Sequence, residues 1–148
     1  MKFQYALFIL VMLVFISCSG NMNKPDNTKP MYGEVAKSPE YQKIDDEFKL
    51  MCLQKFGSLY DAALAHAGFA WDYVDKNDFK SAMKRFNQVW LLDPSLPDSY
   101  YWFAFIMKMQ NKQTDYERFY KMALEKDVDG EGKKRYEDRV SSVSVINQ

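Results

Sequence analysis

Apolar residues along this chain recur mostly at three- and four-residue intervals, the spacing that places them on one face of a helix. From Ser38 onward the pattern divides into helical blocks. Ser38-Pro39 opens the first, since serine caps a helix start and proline suits its first turn. Tyr41, Ile44, Phe48, Met51 and Cys52 mark its apolar face, and Gly57 ends it. Leu64 to Asp75 forms a second block rich in alanine, broken at Lys76-Asn77. Asp78 caps a third, with Phe79, Ala82, Met83, Phe86, Val89 and Trp90 on its face and Asp93-Pro94 as its stop. Ser95-Leu96-Pro97-Asp98 starts a very aromatic fourth block, Tyr100 to Met109. Asn111-Lys112 is the next turn, and Thr114 to Glu117 has the spacing of a capping box ahead of Phe119, Tyr120, Ala123 and Leu124. A break at Asp127 to Gly132 precedes a last helix expected from about Lys133 to Val140. Only Val140 to Ile146 alternates weakly, in an expected C-terminal tail of residues 141–148. The pattern predicts an all-α domain over residues 38–140.

The N-terminus reads differently. Lys2 precedes an unbroken apolar run from Tyr5 to Ile16. Twelve helical residues reach roughly 18 Å, short of the ~30 Å core of a bilayer, so the run fits a secretion signal. Ser17-Cys18-Ser19-Gly20 follows. This resembles a bacterial lipoprotein signal, in which a small residue precedes a cysteine that is lipidated and becomes the new N-terminus; Phe15 and Ile16 depart from the usual residues there. The resemblance implies a signal peptide at residues 1–17, acylation of Cys18, and residence in a bacterial envelope on the outer membrane. Acyl chains contribute about 0.8 kcal/mol per buried CH₂, enough for stable anchoring when several are present. Residues 18–37, with Pro25, Pro30, Gly20 and Gly33, show no periodicity and are expected to be a flexible tether.

Composition narrows the function classes. Basic and acidic residues number 20 each, so the excess positive charge expected of a nucleic-acid binder is missing. The Lys133-Lys134-Arg135 cluster is offset by Glu131, Glu137 and Asp138 and reads as a solvated helix face. Cys52 is the one cysteine besides Cys18, so an acylated Cys18 leaves no internal disulfide and the domain depends on its core. His66 is the single histidine, without a second ligand nearby in sequence. Asp127-x-Asp129-x-Glu131-Gly132, with Asp138 beyond, imitates a calcium loop, but Lys134 and Asp138 stand where that loop needs an apolar residue and a glutamate. It reads as a turn that needs no ion. Phosphate loops, nucleophile elbows and zinc spacings are missing from the sequence, so neither a cofactor nor a metal nor an enzymatic activity is expected.

A fixed period ties the helical blocks together. Offsetting the chain by 34 residues places Phe69 on Phe103, Ala70 on Ala104, Asn77 on Asn111 and Phe86 on Tyr120, without a gap. The two units, residues 63–96 and 97–130, resemble the tetratricopeptide repeat, a 34-residue helix–turn–helix. The first carries His66, Phe69-Ala70, Tyr73, Ala82, Phe86, Val89 and Pro94 at the family's positions; the second carries Tyr100, Phe103-Ala104, Met107, Tyr116, Tyr120, Ala123 and Val128, departing at Met107, Tyr116 and Val128. The resemblance implies a short α-solenoid of two repeats with capping helices on either side, because single units of this kind cannot bury their apolar faces alone.

In that family the first helix of each pair lines a concave groove. Carried over by position, Trp71, Asp75, Tyr101, Phe105 and Lys108 are the expected partner-groove residues. The expected function is a lipid-anchored interaction or scaffold module for another protein or peptide segment, with no small-molecule substrate; an envelope immunity or inhibitor protein that caps one enzyme or toxin is the alternative.

Overall fold

A computed structural model describes residues 24–146, with side chains through Ser142. The expected signal peptide and the lipidated Cys18 lie outside the described residues. Six helices follow one another: α1 Pro39–Phe56, α2 Leu59–Val74, α3 Phe79–Leu92, α4 Pro97–Met109, α5 Gln113–Lys126 and α6 Glu131–Ile146. Among the described residues there is no strand.

The starts are fixed by side chains that accept otherwise unpaired backbone N–H groups. Ser38 Oγ accepts from Tyr41 N–H, Ser58 Oγ from Asp61 N–H, and Asp78 from Ser81 N–H. Gly57 ends α1 in the left-handed region at φ 82°, returning its N–H to Leu53. The capping-box spacing at Thr114 is not used: α5 begins two residues earlier than that cap implies, after Lys112, with no side-chain cap. α6 is longer than expected and occupies the first part of the predicted tail. Its first turn is held by Asp127, which accepts from the N–H groups of Gly132 and Lys133, and by Asp129, which accepts from Glu131 N–H.

α2 pairs with α3 across a four-residue turn, and α4 with α5 across a three-residue turn. The two turns share their bonding 34 residues apart. Asp78 N–H reaches Tyr73 O and Lys112 N–H reaches Met107 O, both at 2.9 Å. Asn77 and Asn111 both sit at φ 57°. Small residues, Ala70 with Ala82 and Ala104 in the second pair, are fully buried.

α4 is buried from Asp98 to Met107. It packs against α3, α5 and α6, which is why it is apolar on nearly every side. Trp102 sits at the centre, stacked on Phe86 at 5.1 Å between ring centroids.

The described part of the predicted tether, residues 24–37, is instead a strap folded against the second helices of the two pairs. Asn87 on α3, fully buried, holds it. Its amide NH₂ donates to Lys29 O at 2.8 Å and to Asn27 O at 3.1 Å, and its oxygen accepts from Tyr32 N–H at 3.3 Å. Pro30 is buried in a short 3₁₀ turn, Pro30–Gly33. Glu34 forms a two-bond pair with Arg118 on α5, and Lys37 bonds Asp45 on α1 while covering the Tyr32 ring. The strap's anchors are polar groups and carbonyls, to which hydrophobic periodicity is blind.

A candidate partner-binding groove

An open groove of about 520 Å³ runs between α2 and α6. Leu64, Ala67, Gly68 and Trp71 form the α2 wall, and Trp102 and Asp98 of α4 the floor. The opposite wall consists of Arg135, Asp138, Arg139 and Ser142, which recur along one face of α6. At Gly68 a Cβ would meet nothing within 4 Å, so the α2 wall has a gap there.

α6 is seated by a matched set of contacts with the start of α4. Arg135 clasps the buried Asp98 carboxylate with two parallel bonds of 2.9 and 2.7 Å. Tyr136 stacks on Tyr101 at 5.2 Å and meets Trp102 edge-on. Gly132 lies against Pro97 so closely that a Cβ there would fall 2.6 Å from the proline ring. The Tyr101 hydroxyl donates to Asp127, the residue that caps α6. At the groove mouth the Arg139 guanidinium lies 5.0 Å over the Trp71 ring and 3.8 Å from the Asp75 carboxylate. The groove therefore presents small and aromatic apolar surface, edged by guanidinium and carboxylate groups that already neutralise one another.

Of the five expected groove residues, Trp71 alone lines it. Tyr101 is fully buried under Tyr136 and Tyr120, and Phe105 is buried against Trp102 and Phe79. α6 and the start of α3 cover these rings, so they are core. Lys108 is exposed and lies over Tyr116 instead. Trp71 lines the groove with its remaining exposed edge, and Asp75 stands at its rim. The α6 wall escaped the sequence reading, although Arg135, Asp138, Arg139 and Ser142 share helical spacing. That spacing alone does not separate a groove wall from an ordinary solvated face.

The Asp127 loop uses its carboxylates on backbone N–H groups. Burial pushes the Asp127 carboxyl up, but the bonds from Lys133 N–H, the Tyr101 hydroxyl and Gly132 N–H outweigh this and hold it below the ordinary range. Among the described residues no three His, Cys, Asp or Glu side chains are grouped to hold a metal.

A second polar cluster lies under α1. His66 Nδ1 is 3.2 Å from Gln88 Oε1, which also accepts from Arg85, and Nε2 is 3.8 Å from Cys52 Sγ. Because Arg85 can only donate, Gln88 presents its oxygen and His66 donates from Nδ1. Phe48, Phe56 and Phe69 pack edge-on around the imidazole. Burial lowers the His66 pKa and raises that of Cys52. These directions favour a neutral pair over thiolate and imidazolium, and Cys52 is only 1% exposed.

No helix among the described residues is long and apolar enough to cross a membrane. In comparisons with protein-family models, curated proteins and solved structures, nothing matches this chain.

Proposed function

We propose that this protein is a lipid-anchored, tetratricopeptide-like interaction module that holds a segment of another envelope protein in the α2–α6 groove. The observation that carries the reading is the groove itself: apolar surface with a side-chain gap at Gly68, set among fixed charges. The repeated turn at Asn77 and Asn111 supports the repeat reading, and the Ser17-Cys18 junction after the apolar run supports the anchor. An extended peptide or a helix edge fits such a groove, since its backbone can approach where the wall lacks a side chain.

Filling the gap is the clean test. In Gly68→Leu the new side chain enters open space, and helix propensity favours leucine over glycine by up to about 1 kcal/mol. The variant is expected to melt no lower than the parent chain and to lose the partner in pull-downs from membrane extracts. Undiminished capture by a folded Gly68→Leu chain would sink the groove as the binding site.

A further inference from the structure

The strap fixes where the chain leaves the domain. Pro25 shares a surface depression with Tyr41, Ile44 and Phe48 of α1 and with Gln88 of α3. Asn27 and Gln88 also border the next depression, with Lys84 and Arg85. The exit of the chain at Lys24 therefore lies over the α1–α3 side of the domain. Only five residues, 19–23, separate Lys24 from Cys18, and six Cα steps reach about 20 Å at full extension. An acylated Cys18 would hold this side close to the lipid surface. Had residues 24–37 been a free tether, no face would be favoured.

The surface around the exit suits an anionic headgroup layer. Among the described residues, Lys24, Lys55, Lys84 and Arg85 make no ion pair. Of the acids on this side, Asp26 and Asp45 are paired with Lys29 and Lys37, while exposed Glu40, one turn before Ile44, makes no ion pair among the described residues and offsets one of these cations. Ile44 and Met51, two turns apart on the same flank of α1, are 53% and 56% exposed. Lys55 continues that flank and lies over the Phe56 ring, which packs on His66, itself bonded to Gln88 beside Arg85. Basic side chains beside exposed apolar ones are what an anionic bilayer surface attracts within a Debye length. The groove shares no residue with this face: it is built from α2, α4 and α6, while the strap lies on α3 and α5.

We propose that the face formed by Lys24, Ile44, Met51, Lys55, Lys84 and Arg85 rests on anionic phospholipid headgroups, which turns the α2–α6 groove away from the membrane. The proposal rests on the anchor reading of Cys18.

The test is lysine footprinting of the full mature chain. It is purified from bacterial membranes, its N-terminal mass measured, and reconstituted into phosphatidylcholine vesicles, whose headgroups carry no primary amine, with or without phosphatidylglycerol. An amine-reactive reagent then reports each lysine. With phosphatidylglycerol, Lys55 and Lys84 should label about fivefold more slowly than without it, while Lys133 and Lys134 on α6 stay unchanged. Lys84→Glu should restore labelling of Lys55. An unmodified Cys18 would remove both the anchor and this surface. An acylated chain whose Lys84 and Lys55 label as fast as in neutral vesicles, or no more slowly than Lys133, keeps the anchor and overturns the surface alone.

Discussion

Asn87 and His66 show what single buried polar side chains decide in this protein. Among the described residues, Asn87 is the one side chain bonded to Asn27, Lys29 and Tyr32 together. Asn87→Ala should therefore destabilise the fold by about 1–3 kcal/mol in urea titrations. Amide exchange should then rise across residues 26–37 and stay unchanged in α4. A comparable loss with no change in strap exchange would place the role of Asn87 elsewhere. Arg118→Ala, at an exposed pair with Glu34, should cost at most about 1 kcal/mol. His66 responds to pH. Burial holds its pKa below the ordinary 6.5, with Arg85 and Lys55 acting the same way and the Gln88 bond opposing. The unfolded chain thus takes up a proton more readily than the folded one, so the contribution of neutral His66 is present above about pH 6.5 and is lost as pH falls through the lower folded value. The urea midpoint of the parent chain should fall from pH 7 to pH 5, and His66→Phe should flatten the curve in that window. Parallel curves would show that His66 does not set this dependence.

The α4–α6 contact carries the main lesson about elements. Gly132, Arg135 and Tyr136 meet Pro97, Asp98 and Tyr101 in register, so the position of one helix sets the other. Gly132→Ala would drive a methyl group into the Pro97 ring, and relief requires α6 to shift. The expected cost is about 1–3 kcal/mol in thermal or denaturant melts. An unchanged melting temperature would mean that α6 slides freely. Much of the helical layout was legible in sequence, because Ser38, Asp78 and Gly57 are local signals and the 34-residue offset is a strong one. Three features were not legible. Tyr101 and Phe105 looked like groove wall because nothing local reveals that α6 covers the first and the start of α3 the second. The Arg135 face looked solvated because its partner, Asp98, lies 37 residues away. The strap looked unstructured because it is held by polar bonds across 55 to 60 residues.

At the scale of the whole molecule, the two hairpins share one core through α4, and α6 closes it. A chain ending at Gly130 would expose Tyr101 and Trp102 and lose Arg135 from the Asp98 carboxylate. It should bind a hydrophobic dye and lose near-ultraviolet dichroism while keeping helical signal. A sharp, dye-silent melt of that truncated chain would show that α6 is dispensable for closure. The strap adds an asymmetry in time. Each hairpin closes over a short stretch of chain, but Glu34 waits for Arg118, 84 residues later. Contacts between distant residues form late because the loop between them must first be closed. The first of the described segments to leave the ribosome is thus the last to find its place. Until it does, the chain around Lys24 stays free of the domain, and the finished fold then draws that point of the chain in.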